Sequence, residues 1–353
     1  EINEELYNSL TLHKEELSGQ ASGYGFYRDN QPFETGKMIR RPQLGKTLEF
    51  LKKNGLEYFY DSDITKSISS SVNGILSYDD LKNFKAEWKK PLHSKIYGFD
   101  GWTSPPSTQG YLTLSTLKAI EMLGTEHDDL HRIIETYRIF AADRDNITYD
   151  YGKNIKDFKG VDLDYIQEKI KLFNPNHSEK FDFPKPRGGG TAYMNTVDKN
   201  GLGVSLIQSN FHGIGSRIGV GSFGFFLHNR GCGFNLDSGH PNYLTPGRKP
   251  LHTLSPTIWS KNGNLEFIAG TRGGRYQPQL LIQTILPYIQ KSDSFEEIIK
   301  EPRWVIENFS NDTLSKLRFE KINNEDLKIL LQKGHEVEVE NKFNKAYGPI
   351  SII

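Results

Sequence analysis

At Gly190-Thr191 a single residue could supply everything an acyl transfer needs. If the peptide bond before Thr191 breaks, the new terminus holds a hydroxyl and a free α-amine about one hydrogen bond apart. An α-amine has a pKa near ~8, so much of it is neutral at working pH and accepts a proton. A threonine hydroxyl is a weak nucleophile until such a base stands beside it. One residue then serves as both nucleophile and base, with no separate His or Asp. The same hydroxyl can open the bond. Oγ attacks the Gly190 carbonyl carbon, and water hydrolyses the resulting ester. Gly190 has no side chain to shield that carbonyl or to resist a strained peptide. On pattern alone, a glycine-flanked threonine that simply opens a strand is the more ordinary reading.

Three other patterns invite chemistry and favour plainer explanations. His127 and His131 stand four apart, a spacing that can bind zinc on a helix. The residues between them, Asp128-Asp129-Leu130, do not give the zinc-protease pattern, and a solvated helix face is expected. Gly219-x-Gly221-x-x-Gly224 matches a dinucleotide fingerprint in form. That fingerprint must open a helix; here the strand-like Phe225-Phe226-Leu227 follows, so a glycine-rich loop is expected. Cys232 is the one cysteine, which excludes an intrachain disulfide and a Cys-rich zinc site. It reads as a small loop residue.

The elements that must position Thr191 change character along the chain. Residues up to about 180 read as mainly helical. One helix is expected from Pro42 to Lys53, with Leu44, Leu48 and Leu51 on a face and Gly55 as its stop. A second starts near Ser77, where Ser77 and Asp80 form a capping-box pattern; it should turn Leu81, Phe84 and Trp88 inward. A third presents Leu114, Leu117, Ile120 and Leu123, and a fourth spans about 129–142. Residues 175–190 carry Pro175, Pro184, Pro186 and Gly188-Gly189-Gly190, which reads as an irregular connector. From Thr191 the texture is strand-like. Asn200-Gly201 and Asn262-Gly263 each sit between two strand-like runs, a hairpin signal. Helical patterning returns after Pro278 and around Phe295–Ile299.

The segment Thr191-Ala192-Tyr193-Met194-Asn195-Thr196-Val197-Asp198-Lys199-Asn200-Gly201 resembles the start of the small subunit of gamma-glutamyltranspeptidases. In that family the chain cleaves itself before such a Thr. The resemblance continues through Ser205–Asn210, Asn229-Arg230-Gly231, Pro250–Thr257, Gly270-Thr271-Arg272-Gly273-Gly274 and Glu301-Pro302-Arg303-Trp304. Earlier it includes Pro105-Pro106-Ser107 and Ala142-Asp143-Arg144. It implies an α+β fold, the four-layer αββα sandwich of N-terminal-nucleophile hydrolases. Residues 1–190 would be a large-subunit portion and 191–353 the small subunit, together forming one domain. Thr191 would be the nucleophile and Gly190-Thr191 the autocleavage bond. Gly273 and Gly274 match the pair whose backbone N–H groups form the oxyanion hole. Ser209 matches a hydroxyl residue that hydrogen-bonds the nucleophile. Asn210 lies one position off the family's substrate-contacting asparagine. For both, a plain strand-end polar residue is the alternative.

Departures from the family pattern bear on substrate. The loop Arg230-Gly231-Cys232-Gly233 lacks the acid of the γ-glutamyl pocket, and His252-Thr253 stands where the family has a serine pair. The short Pro241–Pro250 stretch suggests that no lid covers the site, as in the cephalosporin-acylase-like branch. An open acyl-enzyme favours water over an acceptor amine. Arg230 and Arg272 are candidates for gripping an acidic acyl group bidentately, or for structural roles. The resemblance thus implies a hydrolase or transferase of glutathione-like γ-glutamyl amides. An acylase for another amide, or a cleavage-deficient scaffold protein, is the alternative. It calls for no metal ion and no cofactor, and for two subunits from one precursor; a homo-oligomer is compatible with it.

Composition sets the outer bounds. Of 353 residues 36% are hydrophobic and 25% charged, which suits a globular protein. Lys+Arg and Asp+Glu both total 44, so nothing points to nucleic acid or an anionic membrane surface. No apolar run reaches membrane-spanning length. The sequence opens on Glu1 without a methionine, so further residues are expected upstream, and the compartment stays unassigned.

Overall fold

The computed structural model describes residues 1–179, 190–291, 293–306, 316–340, 343–344 and 347–353. Backbone contacts divide the chain into two units, residues 1–88 with 210–229, and residues 89–209 with 230–353. This division does not follow the Gly190-Thr191 bond. Of the expected connector, 180–189 lie outside the described residues, including Pro184, Pro186, Gly188 and Gly189.

The first unit is helical and small-cored. It contains α1 (Glu4–Leu12), α2 (Lys14–Leu17), the short β1 (Tyr27–Arg28) and β2 (Gln31–Pro32), α3 (Pro42–Asn54), α4 (Asp63–Ser71) and α5 (Tyr78–Asn83). Ile2, Leu10, Leu17 and Tyr27 form one cluster. Ile64, Ile68 and Val220 form another, with Leu51 and Phe223 against it. α3 begins with Pro at its first turn and stops at Gly55, as its sequence predicts. Its face is narrower than expected, since Leu48 is exposed. α5 has the expected Ser77–Asp80 capping box, but it ends at Asn83. Phe84 turns extended, and Trp88, expected inward, is fully exposed. With Lys85, Glu87, Lys89 and Lys90 around it, one apolar residue per turn buries too little to hold those residues helical.

The second unit holds the main core. β3 (Leu92–Ile96) and β4 (Phe99–Thr103) lead into α6 (Tyr111–Leu123), α7 (Leu130–Ala142), α8 (Arg144–Ile147) and α9 (Leu163–Ile170). A hairpin follows, β5 (Gly190–Val197) and β6 (Gly203–Phe211), with Asn210 and Phe211 already in the first unit. Then come β7 (Thr257–Lys261), β8 (Asn264–Thr271), α10 (Gln277–Lys291), α11 (Phe295–Ile298), β9 (Trp304–Ile306), β10 (Lys316–Phe319), α12 (Asn324–Gln332), β11 (Glu336–Val339) and β12 (Ile350–Ile352). The central sheet has the order β12-β8-β7-β4-β3, each pair antiparallel. A smaller sheet runs β11-β10-β9.

Both hairpin signals hold. Asn262 and Gly263, each at positive φ, turn β7 into β8 in the two-residue form that asparagine and glycine favour. The β5–β6 loop is longer. The Asp198 carboxylate ties it by accepting from the Asn200 and Leu202 N–H groups, 2.8 and 2.9 Å away.

The fold is α+β, and the second unit stacks its layers helix, sheet, hairpin. On one face of β8, Phe267 and Ala269 join Trp259, Leu114, Leu117, Ile120, Leu281 and Ile285 in the core under α6 and α10. The alternate residues face the hairpin. The Tyr193 ring lies directly on Gly270, and the Asn195 amide reaches the Ile268 carbonyl at 3.4 Å. The residues between them on β5, Ala192, Met194 and Thr196, are exposed, as the two-residue period of a strand requires. No helix among the described residues is long and apolar enough to cross a membrane.

A Cβ built at Gly270 would lie 2.1 Å from the Tyr193 ring. Gly270→Ala should therefore lift the hairpin off β8 and destabilise the protein by about 1–3 kcal/mol, the usual cost of overpacking. Urea unfolding measures this; an unchanged midpoint would contradict the packing described.

Candidate active site

β5 and β6 bring three groups of the candidate site together. Thr191 Oγ1 donates to Ser209 Oγ at 2.9 Å, and Ser209 Oγ donates to the Gly190 carbonyl at 2.9 Å. The Ser209 hydroxyl thus bridges the Thr191 hydroxyl and the Gly190 carbonyl. All three groups are half-buried. Two details fix the strand that carries them. The Tyr193 hydroxyl pairs with Ser205 Oγ at 2.8 Å, and the Ser351 hydroxyl meets the Asn195 side chain at 3.3 Å. Burial raises the Tyr193 pKa, so it stays a neutral hydrogen-bonding group.

Gly273 and Gly274 follow the end of β8 in a turn that needs glycine twice. Both have positive φ, +124° and +58°. A Cβ at Gly273 would also sit 2.7 Å from the Tyr347 carbonyl. The Tyr276 N–H donates to the Gly273 carbonyl at 3.0 Å. Within one peptide the N–H points opposite to the C=O, so this bond directs the Gly274 N–H away from the turn. Neither the Gly273 nor the Gly274 N–H has an acceptor among the described residues. The next carbonyl, Gly274 O, accepts from the buried Gln109 amide at 2.9 Å. Arg272 is half-buried at the strand end.

The comparisons with known proteins bear on this geometry as a whole. The family model described as gamma-glutamyltranspeptidase matches residues 1–353. The chain belongs to the gamma-glutamyltranspeptidase family. It is 29% identical over 334 residues to the glutathione hydrolase-like proenzyme of Bacillus subtilis, covering 90% of this chain and 62% of that protein. It is 31% identical over 329 residues to the oxamate amidohydrolase proenzyme of Klebsiella pneumoniae, covering 89% and 61%. The chain therefore spans roughly three fifths of these relatives. Cephalosporin acylase from Bacillus halodurans shares the fold, with a TM-score of 0.86 at 24% identity, covering 99% of this chain and 66% of that one.

In this member of the gamma-glutamyltranspeptidase family the two arginines singled out from sequence differ. Arg230 is buried and opens a 3₁₀ turn. Its Nη1 lies 3.4 Å from Thr253 Oγ1, and burial lowers its pKa to about 10. Arg272 is the more accessible. Asn210 falls in the first unit, where its carbonyl accepts from the Asn229 N–H at 3.1 Å. Cys232 is exposed. Gly219 makes a single bridge to Phe226, and residues 221–223 form one 3₁₀ turn with no helix after it, so the glycine motif is a loop. Phe225–Leu227 do not form the strand their sequence suggests.

Sequence reasoning missed the supports behind the glycine pair. Gln109 also donates to the Thr253 carbonyl at 2.8 Å and accepts from Arg144 Nη1 at 3.1 Å. Arg144 closes a stretch that carried the family resemblance, Ala142-Asp143-Arg144, without a role attached, and Gln109 lies two residues past another, Pro105-Pro106-Ser107. Arg303, of Glu301-Pro302-Arg303-Trp304, pairs with the buried Glu320 and donates to the Gly348 and Asn344 carbonyls. It thereby anchors the backbone that leads into β12.

The histidine expectation is corrected. His127 precedes α7 rather than lying on it. His131 is not solvated but buried against His335, with Nδ1 and Nε2 2.8 Å apart. His131 Nε2 lies 3.1 Å from the Asn174 carbonyl. A carbonyl only accepts, so His131 Nε2 carries the proton and its Nδ1 accepts from His335. His335 Nδ1 is then unprotonated, 3.9 Å from Glu135 Oε1.

Burial, reinforced by His131, Arg138 and Lys333, lowers the His335 pKa from 6.5 to about 3. Between those values the unfolded chain binds the extra proton, so stability is full above about pH 6.5 and declines as pH falls toward 3. Melting temperature should therefore drop across this acidic range, and His335→Gln should flatten the drop. An equal slope in wild type and variant, read by calorimetry, would count against the pairing.

Proposed function

We propose that this chain is an N-terminal-threonine amidohydrolase that matures by cleaving itself between Gly190 and Thr191. The observation that carries the reading is the hydrogen-bonded line Thr191 Oγ1–Ser209 Oγ–Gly190 O. As Thr191 Oγ bonds to the Gly190 carbon, its proton moves to Ser209 Oγ, and the Ser209 proton moves to the carbonyl oxygen. The carbonyl then re-forms as the C–N bond breaks, the proton on its oxygen returns through Ser209 to the departing nitrogen, and an ester with a free α-amine remains. Water opens that ester. The released amine next serves as base for the Thr191 hydroxyl, which attacks a substrate amide and forms acyl-Thr191. The Gly273 and Gly274 N–H groups are suited to hold the oxyanion. Hydrolysis of the acyl-threonine completes the cycle.

The substrate class proposed is a γ-glutamyl amide of the glutathione kind, in line with the names of the related hydrolases. In this reading residues 1–190 and 191–353 form the two subunits. A second reading, an acylase for a different acidic acyl group, is favoured by the Arg230–Gly233 turn, which carries a guanidinium and no carboxylate. There Arg272 is the better placed of the two arginines to meet a carboxylate, being less buried than Arg230.

Denaturing mass spectrometry should show two fragments that part between Gly190 and Thr191, and one intact chain in Thr191→Ala. Ser209→Ala should slow the cleavage by roughly a hundredfold, the order lost with one donor to a developing oxyanion. A wild-type chain that stays whole would overturn the reading. Among chromogenic anilides, faster release from the γ-glutamyl than from the glutaryl compound supports the first substrate class; the reverse order supports the second.

A further inference from the structure

The Gly273–Gly274 turn is held from behind by a closed ring of polar groups, of which Gln109 and Arg144 are buried and Asp145 and Arg275 half-buried. Gln109 is fully buried and sits just ahead of α6. Its one amide nitrogen donates to two carbonyls, Gly274 at 2.9 Å and Thr253 at 2.8 Å. Its oxygen accepts from Arg144 Nη1 at 3.1 Å. Arg144 Nε in turn donates to Asp145 Oδ1 at 2.7 Å. The other Asp145 oxygen lies 3.6 Å from Arg275 Nη2. Arg275 is the residue after Gly274, so the ring returns to the turn from which it started. Both donors of the Gln109 amide and one of the two lone pairs of its oxygen are thus occupied.

We propose that Gln109, oriented by Arg144 and Asp145, is a positioning residue that keeps the Gly273 and Gly274 N–H groups aimed at the reacting carbonyl. Glycines at positive φ flip easily between peptide orientations, and a flipped peptide would present a carbonyl where a donor is needed. Gln109 fixes the Gly274–Arg275 peptide. That peptide begins the turn whose Tyr276 N–H holds the Gly273 carbonyl, and the Gly273 carbonyl sets the direction of the Gly274 N–H. On the other side, Thr271 Oγ1 lies within hydrogen-bond reach of the Arg272 carbonyl, 2.9 Å away, and of the Pro349 carbonyl, 2.8 Å away. The acid in the ring stays ionised. Burial opposes the charge, but Arg144 and Arg275 hold the Asp145 pKa below the usual carboxylate range. Arg144 is thereby kept turned toward Gln109.

The inference rests on the proposed reading of Thr191, so its test begins with wild-type protein that cleaves itself and hydrolyses a chromogenic amide. If it does neither, the reading of Thr191 fails, and the role of Gln109 falls with it. Given an active wild type, Gln109→Glu keeps the acceptor for Arg144 but removes both donors, and Gln109→Met removes all three bonds. Rates are expressed per cleaved chain, counted by mass spectrometry. Loss of aim should lower kcat by roughly 10- to 100-fold, with KM little changed. A boronic acid bearing the substrate's acyl group forms a tetrahedral adduct on Thr191, with its charged oxygen in the place of the oxyanion. Its affinity should fall by the same factor as kcat. A folded Gln109→Glu enzyme with wild-type kcat would overturn the assignment. So would a lower kcat with undiminished boronate affinity, because a merely structural defect does not select the tetrahedral state.

Discussion

The contact on which the rest of the candidate site depends is the Tyr193 ring lying on Gly270. It brings β5 so close to β8 that the two strands step past each other in register. Asn195 meets Ile268 and Tyr193 meets Gly270. Thr191 lies two residues beyond Tyr193 on the same face of β5, as Arg272 lies two residues beyond Gly270. A side chain at position 270 would separate the strands, and a one-residue slip of β5 would turn Thr191 outward and bring Ala192 and Met194 in.

Charge is handled differently among the groups proposed to react and among those that support the glycine turn. The groups proposed to react are neutral hydroxyls and backbone amides: Thr191, Ser209 and the glycine pair. Such groups move protons or accept developing charge without the desolvation cost of a buried ion. Among the supporting groups stand paired charges: Arg144 with Asp145, Arg275 beside them, and Arg303 with Glu320. Arg275 shows the cost of that arrangement. Burial, together with Arg144, lowers its pKa to about 9, and Asp145 only partly offsets this.

Much of the fold was legible in the sequence because its signals are local. Asn-Gly turns, the Ser77 cap and the apolar spacing of α6 each act over a few residues, and each appears where expected. The meeting of Thr191 and Ser209 was readable for a related reason: they open and close one hairpin. Trp88 misled because its spacing mimicked a helix that its charged neighbours cannot sustain. His131 misled because the group that buries it, His335, lies 204 residues away. Gln109 was unreadable as a support, since its partners, at 144, 253 and 274, come together only in the folded sheet.

The central claim is that the Thr191 hydroxyl itself becomes acylated. Rapid acid quenching during turnover of a chromogenic amide, followed by peptide mapping, tests it most directly. The account predicts an added acyl mass on the peptide that begins at Thr191. Turnover with that peptide unmodified and the acyl mass on another residue, such as the exposed Cys232, would contradict it.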